Sequence, residues 1–88
     1  MADRRLEVFR TVAHLLSFTK AAELLHITQP AITFQIRQLE EEYKVRLFHR
    51  THSSIHLTDA GKRMLDYAER IFHLYDEMQI AIRDAIEP

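Results

Sequence analysis

Gln29, Thr33 and Arg37 stand four residues apart and bring an amide, a hydroxyl and a guanidinium group to one short stretch. If that stretch is helical, residues four apart lie on the same face. Such groups match the hydrogen-bond donors and acceptors that base edges present in the major groove of DNA. A polar helix face is also typical of ordinary solvated surface, so these three residues alone leave both interpretations open.

The stretch that holds them has a clearly marked helical start. Thr28 can accept a hydrogen bond from an N–H of the first turn. Pro30 lies in that turn, where its missing N–H loses no helical partner. One narrow apolar stripe at helical spacing follows, formed by Ile32, Ile36 and Leu39. We predict a helix over about 28–42 that buries this stripe and exposes the opposite face, which also carries Phe34 and Gln38.

The 88 residues suffice for one small domain. Cysteine is absent, which excludes disulfides and thiolate metal ligands and is compatible with a cytoplasmic protein. The sequence predicts neither a signal peptide nor a membrane-spanning helix. The net charge of −1 hides an asymmetry, because residues 1–63 hold ten Lys/Arg against seven Asp/Glu, whereas residues 64–88 hold two against six. The basic excess therefore lies with the polar helix face.

Two further helices are predicted before this one. The first, over 4–16, has a broad apolar face formed by Leu6, Phe9, Ala13 and Leu16, widened by Val8, Val12 and Leu15. Thr19 is a good N-cap for a second, short helix through about His26. Its inward-facing residues are Ala21, Ala22 and Leu25. Because only Ile27 and Thr28 separate it from the next helix, the pair is typical of a helix-turn-helix, whose second helix reads DNA.

Two short β-like runs, 45–50 and 55–57, flank the polar residues 51–54. They predict a small hairpin, or wing, beside the helix-turn-helix. Arg46, Arg50 and His56 would lie on or near this wing, where they can meet phosphates.

The last part of the chain is predicted to be one long helix. Thr58 caps it, and it runs without proline to about Ile86. Its apolar positions alternate steps of four and three, as in a coiled-coil seam: Met64, Ala68, Ile71, Tyr75, Met78, Ile82 and Ala85. We expect two copies to pair through this seam, and a helix packed inside a single chain is the alternative.

Five blocks stand in a specific order and spacing after Leu6 and Phe9: 17–25 (SFTKAAELL), 28–33 (TQPAIT), 35–40 (QIRQLE), 45–50 (VRLFHR) and 57–61 (LTDAG). Together they resemble the N-terminal DNA-binding domain of LysR-type transcriptional regulators of bacteria. The resemblance covers nearly the whole chain.

The resemblance implies a mainly α fold, with a winged helix-turn-helix of three helices and a small β-hairpin over 1–57 and a linker and dimerisation helix over 58–88. It implies sequence-specific binding of double-stranded operator or promoter DNA by a homodimer on an interrupted inverted repeat, with the wing at the adjacent backbone or minor groove. It also implies a C-terminal domain, absent from this chain, that binds a small-molecule effector, and a tetrameric full-length protein in the cytoplasm. Neither a cofactor in this fragment nor a membrane partner is expected.

Carried over by position, Gln29, Pro30 and Thr33 would contact base edges, and Thr28 and Arg37 would hold the helix against the DNA backbone. The full set of predicted DNA contacts is Thr28, Gln29, Pro30, Ala31, Thr33, Phe34, Arg37, Arg50, Ser53 and Ser54. The predicted pairing residues are Met64, Ala68, Ile71, Tyr75, Met78 and Ile82.

The chain departs from the family pattern at several positions. Phe34 stands where a basic or polar residue is usual. Ser53 or Ser54 stands where the wing usually carries an arginine, which argues against insertion of the wing into a narrow minor groove. Family glycines are replaced at Leu16, Lys44 and His52, and we expect Lys44 to adopt a left-handed conformation.

Two alternative interpretations belong to other classes of protein. A metal site at His49, His52 and His56 is disfavoured, because their spacing is irregular and a structural zinc site usually has four closed ligands. The sequence contains no Gly-rich phosphate loop, acid–base pair or nucleophile constellation, so an enzyme is not expected. A coiled-coil protein-interaction module without DNA binding is the second alternative. The polar face of 28–38 argues against it, since that face has no role in pairing.

Overall fold

A computed structural model describes residues 4–86 of the chain. These residues form α1 (Arg4–Leu15), α2 (Phe18–Leu25), α3 (Gln29–Tyr43), β1 (Phe48–Arg50), β2 (Ile55–Leu57) and α4 (Asp59–Ile86). The predicted mainly α architecture is confirmed, with three helices, a two-stranded antiparallel hairpin and a long last helix.

The core lies where α1, α2 and α3 cross, and the segment entering the hairpin closes it. Its largest fully buried side chains are Phe9, Ile32, Leu47, Val8 and Val12. The Phe48 ring lies 5.6 Å from that of Phe9 and 5.9 Å from that of Phe18, so aromatic contacts join the hairpin to α1 and α2. The small Ala21 and Ala22 are buried on the α2 side, which lets α2 and α3 cross closely.

The start of α2 differs from the prediction. Ser17, not Thr19, is the N-cap, and its hydroxyl accepts a hydrogen bond from the Lys20 N–H at 3.0 Å. Phe18 opens the helix and is buried in the core. Because Phe18 lies three and four residues before Ala21 and Ala22, beginning the helix there extends its buried face by one aromatic ring.

The buried face of α1 is narrower than predicted and consists of Val8, Phe9, Val12 and Ala13. Leu15 and Leu16, which we expected to share it, are exposed. Leu15 lies at the edge of this face on the last residue of the helix, and Leu16, with a φ of 49°, turns away from the core.

Leu16 is one of three non-glycine residues with left-handed backbone among residues 4–86; the other two are His26, with a φ of 57°, and Lys44, with a φ of 56°. His26 and Lys44 follow the ends of α2 and α3, where glycine is the usual residue. The Lys44 N–H bonds to the Glu40 carbonyl. The conformation predicted for Lys44 is therefore confirmed, at a typical cost of roughly 1–2 kcal/mol for an L-residue.

The first strand of the hairpin is shorter than predicted, because β1 begins at Phe48 and not at Val45. The two strands pair Phe48 with Leu57, His49 with His56 and Arg50 with Ile55. Leu47, just before β1, is fully buried, and its carbonyl accepts a hydrogen bond from the Thr58 N–H at 3.0 Å. This residue thus closes the core instead of extending the sheet.

The predicted cap of the last helix, Thr58, is confirmed. Its hydroxyl accepts a hydrogen bond from the Gly61 N–H at 3.0 Å and donates one to the Arg46 carbonyl at 2.6 Å. A Cβ on Gly61 would lie 2.2 Å from the Leu47 carbonyl oxygen and 2.9 Å from the Leu57 side chain. Glycine is required here because the first turn of α4 passes directly over the segment before β1.

The first half of α4 packs against α1. Ala68 is fully buried there. Arg10 Nε and His14 Nε2 of α1 each lie 2.9 Å from Glu69 Oε1, and the Arg10 guanidinium lies 4.9 Å from the centre of the Phe72 ring. Partial burial of the Glu69 carboxyl raises its pKa, but the hydrogen bonds and charges of Arg10 and His14 outweigh this, so its pKa is lowered.

The second half of α4 extends beyond this contact, and the molecule is elongated, measuring 57 × 26 × 20 Å. Its large apolar side chains are exposed at Leu74, Met78, Ile80, Ile82 and Ile86. Within residues 4–86, no helix is both long and apolar enough to cross a membrane.

Candidate nucleic-acid interface

The two faces of α3 have opposite environments. Ile32, Ile36 and Leu39 are almost completely buried and fix the helix to the core, as predicted. The side chains on the outer face are exposed or half-buried: Gln29, Pro30, Thr33, Phe34, Arg37 and Gln38. Hydrogen-bonding groups on this face are therefore held at fixed positions by a helix that cannot rotate without exposing its apolar stripe.

The start of α3 is fixed by a local hydrogen bond. The Thr28 hydroxyl accepts the Ala31 N–H at 3.2 Å, and Pro30 occupies the first turn, so the predicted cap is confirmed. Gln29 and Pro30 are exposed on this turn, and Ala31 is half-buried behind them. The start of the helix thus fixes the positions from which Gln29 and Pro30 reach solvent.

A polar depression of about 250 Å³ lies between α3 and the hairpin. Its lining includes three arginines, Arg37, Arg46 and Arg50, together with Thr33 and one carboxylate, that of Glu40. The Arg50 guanidinium lies 3.9 Å from the centre of the Phe18 ring, a cation–π contact that orients it. The excess of positive charge makes this depression suited to an anion such as a phosphate.

Two residues of this region were missed in the sequence. Glu40 was not predicted to bind a backbone N–H or an arginine, yet its carboxylate accepts the Leu47 N–H at 2.8 Å and lies 3.7 Å from Arg46 Nε. Phe18 was not predicted to contribute to this region, yet its ring supports the Arg50 guanidinium. The available signal for Glu40 was the buried apolar pair that follows at Leu47 and Phe48, whose backbone needs a partner.

The hairpin turn is held by its own hydroxyl groups. Ser54 Oγ lies 2.9 Å from Thr51 Oγ1 and 3.2 Å from His56 Nε2, and the Thr51 N–H donates to the Ser54 carbonyl at 2.9 Å. Ser53 is exposed at the tip. The turn therefore presents small hydroxyl groups where a long basic side chain would reach further.

His49 and His56 face each other across the two strands, with His52 in the turn. Among the described residues, no group of three or more His, Cys, Asp or Glu side chains is placed to hold a metal ion.

The residues of the predicted pairing seam divide into two sets. Met64 is half-buried, and Ala68 has no exposed surface because it packs inside the chain. The side chain of Ala68 is thus not available to a second copy, contrary to its assignment to the seam. Ile71, Met78 and Ile82 are 39%, 50% and 59% exposed, and Tyr75 is half-buried. Ile71, Tyr75 and Met78 also line one shared apolar depression on α4.

The sequence is similar to those of bacterial transcriptional regulators. The profile of the family described as "Bacterial regulatory helix-turn-helix protein, lysR family" matches residues 4–62. The chain is 39% identical over 88 residues to the HTH-type transcriptional regulator YofA of Bacillus subtilis (strain 168), covering 100% of this chain and 31% of that protein. It is 43% identical over 76 residues to the RuBisCO operon transcriptional regulator of Allochromatium vinosum, covering 86% and 25%. The chain spans about a quarter to a third of these relatives.

The structure was compared with solved structures. It is similar to the BenM_DBD/catB site 1 DNA complex, with a TM-score of 0.92 and 33% identity over 100% of this chain and 98% of that chain. It is similar to the CbnR_DBD–DNA complex, with a TM-score of 0.87 and 39% identity over 97% and 98%. CbnR, a LysR family transcriptional regulator, matches with a TM-score of 0.84 and 38% identity over 94% of this chain and 29% of that chain.

Proposed function

The chain belongs to the LysR family of bacterial regulatory helix-turn-helix proteins, and from this premise we propose that it binds double-stranded DNA sequence-specifically, with α3 in the major groove. The observation that carries the proposal is the fixed, polar outer face of α3 beside a depression lined by three arginines. An α-helix fits the width of the major groove, where base pairs are distinguishable. The likeness to two DNA-binding domains in complex with DNA supports this assignment. The family consists of regulators, not enzymes.

The proposed base contacts come from the first turns of α3. Gln29 is suited to pair its amide with an adenine, and Thr33 to offer its hydroxyl to a neighbouring base edge. Pro30 and Ala31 contribute apolar surface at the same end. Thr28, at the helix start, and Arg37, two turns further on, contact the phosphate backbone and set the register of the helix in the groove.

The hairpin contributes contacts to the adjacent backbone. Arg50, held over the Phe18 ring, and Arg37 border one depression and can bind neighbouring phosphates. Ser53 and Ser54 offer short hydroxyl donors to the backbone at the turn. Because the turn carries no arginine at 53 or 54, we propose that it stays at the backbone and does not read the minor groove.

We further propose that two copies pair through the second half of α4, using Ile71, Tyr75, Met78 and Ile82. The exposed apolar side chains of this segment support the proposal, since such a surface is unfavourable in water. A homodimer places two α3 helices on an interrupted inverted repeat in an operator or promoter. For the longer protein to which such a domain belongs, we propose a cytoplasmic, ligand-responsive tetramer whose C-terminal domain binds a small effector.

The proposal is tested by binding to a mixed pool of short duplexes at several salt concentrations. Binding should weaken as salt rises, because each contacted phosphate releases counterions. Arg37→Ala should reduce the slope of log affinity against log salt by about one unit per protomer on every sequence. Arg83→Ala, which changes an exposed arginine at the far end of α4, is the matched control and should leave the slope unchanged. Absence of duplex binding, or equal slopes for Arg37→Ala and the parent, contradicts the proposal.

A further inference from the structure

We propose that Phe34 is a specificity-determining residue that recognises the C5-methyl group of one thymine in each half-site. This inference rests on the proposed binding of α3 in the major groove and assigns a role to Phe34, the aromatic residue of its outer face, which cannot hydrogen-bond through its side chain.

Phe34 is 61% exposed, although it lies in the middle of a well-packed helix. The core is filled without it, since Ile32 and Ile36 on the opposite face are buried to 3% exposure or less. A phenylalanine ring left in water loses the free energy that burial of its apolar surface would supply. Packing within the chain therefore does not explain a phenylalanine at this position. The ring gains the free energy of burial only when the surface of another molecule covers it.

The neighbours of Phe34 identify that surface. Phe34, Pro30, Gln29, Thr33 and Arg37 line one shallow depression on α3. Pro30 lies one turn before Phe34, and long side chains on a helix lean toward its N-terminus, so the ring and the proline form one continuous apolar patch. Hydrogen-bonding groups surround this patch on the face proposed to enter the groove. A molecule that binds to this depression must therefore place an apolar group against the patch and polar or anionic groups around it.

DNA offers one group of this kind. Among the four bases, the major groove presents nitrogen and oxygen donors and acceptors, and the only apolar group is the C5-methyl of thymine. Apolar contact between a phenylalanine and this methyl is chemically sound, whereas a ring placed against an amino or carbonyl edge would leave that group without a hydrogen bond. A basic residue at this position would bind phosphates or guanine, so phenylalanine shifts the preference of one base pair toward thymine.

The experiment uses the duplex that the protein enriches from random DNA, with each thymine replaced singly by deoxyuridine. This change removes the methyl and keeps every hydrogen-bonding group. In each half-site, one thymine should be sensitive to this replacement. Replacing it should weaken binding by the parent protein about fourfold, which corresponds to the free energy of burying one methyl group. Phe34→Ala should bind the thymine and uracil duplexes equally. A second pair of duplexes carries cytosine or 5-methylcytosine in place of this thymine. The parent protein should bind the 5-methylcytosine duplex more tightly than the cytosine duplex, and Phe34→Ala should bind the two equally.

Two variants serve as controls. Leu24→Ala removes an equally exposed apolar side chain, 61% exposed, from α2 and should keep the full thymine-to-uracil difference. Phe34→Leu retains an apolar side chain and should keep part of it, and thermal melting checks that each variant is folded. The inference is overturned if no thymine replacement affects the parent, or if Phe34→Ala keeps the same effect. In either case the parent still selects its site, so the proposed function stands; if the parent selects no site, the proposed function itself fails.

Discussion

Helices α3 and α4 carry the same kind of apolar stripe with opposite outcomes. On α3, Ile32, Ile36 and Leu39 repeat at helical spacing and are almost completely buried by the rest of the chain. On α4, the repeat is as regular, yet Met78 and Ile82 are at least half exposed. The stripe of α3 is covered by α1 and α2, whereas the second half of α4 extends past every other described element.

A periodic apolar stripe therefore predicts that one face of a helix will be buried. It does not predict whether the same chain or another molecule buries that face. The burial of the α3 stripe has a functional consequence, because it fixes the opposite face for contact with DNA. The exposure of the α4 stripe leaves an apolar surface without cover from the described residues, which supports the proposed pairing of two copies. We therefore propose that the helix whose apolar face is buried within the chain recognises DNA and that the helix whose apolar face is exposed mediates pairing.

Shortening one isoleucine on each helix should give the largest difference between α3 and α4. Ile32→Ala should destabilise the fold by about 2–5 kcal/mol, because it leaves a cavity at a fully buried position. Ile82→Ala, at a position 59% exposed, should change the stability of the single chain by less than about 0.5 kcal/mol. Denaturant unfolding at low protein concentration measures both, and equal losses would contradict the division between the helices.

A charge on the exposed stripe of α4 should weaken the proposed pairing of two copies. Ile71→Asp should weaken dimerisation about a hundredfold, because an unpaired carboxylate would be buried between two copies. Ile80→Asp is the matched control, since Ile80 lies on α4 outside the seam and is 54% exposed. Sedimentation at several concentrations gives the dimer constant. A dimer of Ile71→Asp as tight as that of Ile80→Asp would rule out the seam.

A change on the outer face of α3 should affect DNA selection without affecting the fold. Gln29→Ala should lose about 1–3 kcal/mol of affinity for the selected site and relax the preference at one base pair, because a bidentate contact is removed. Site selection with the parent and the variant measures this preference. If the preference at every base pair is unchanged, Gln29 has no role in base recognition.

The smallest effect concerns the ion pairs between α1 and α4. Since Arg10 and His14 lower the pKa of Glu69 below its ordinary value of 4.5, the ionised carboxylate stabilises the fold above that pH. This contribution is lost as the pH falls through the lowered pKa. The free energy of unfolding of Glu69→Gln should accordingly decrease less than that of the parent as the pH falls from about 5 to about 3. The difference in stability between Glu69→Gln and the parent should be small, because 43% of the Glu69 side chain is exposed. Glu77→Gln is the control, since it alters a pair with His73 on the same helix.

The sequence predicted the elements whose signals are local. Thr28 and Pro30 marked the start of α3, the stripe after them marked its buried face, and Thr58 marked the start of α4. A cap, a proline and a helical period all act within a few residues, so they can be recognised without knowledge of the neighbours. The left-handed conformation of Lys44 was predicted instead from the resemblance, because the family has a glycine at this position.

Features that depend on distant neighbours were not predictable. Ser17 and Thr19 are equally good caps, and the choice depends on Phe18 entering a core formed by other elements. Ala68 matches the period of the seam but is buried against the rest of the chain. The hydrogen bond from the Leu47 N–H to the Glu40 carboxylate joins residues on either side of a turn, and no local pattern records it.

The most direct test of the division between α3 and α4 is selection of bound sites from random duplex DNA near physiological salt. We predict enrichment of an interrupted inverted repeat, because two α3 helices fixed by paired α4 helices must each contact one half-site. Enrichment of a single half-site would contradict the pairing through α4. Enrichment of no sequence at all would contradict the assignment of DNA recognition to the outer face of α3.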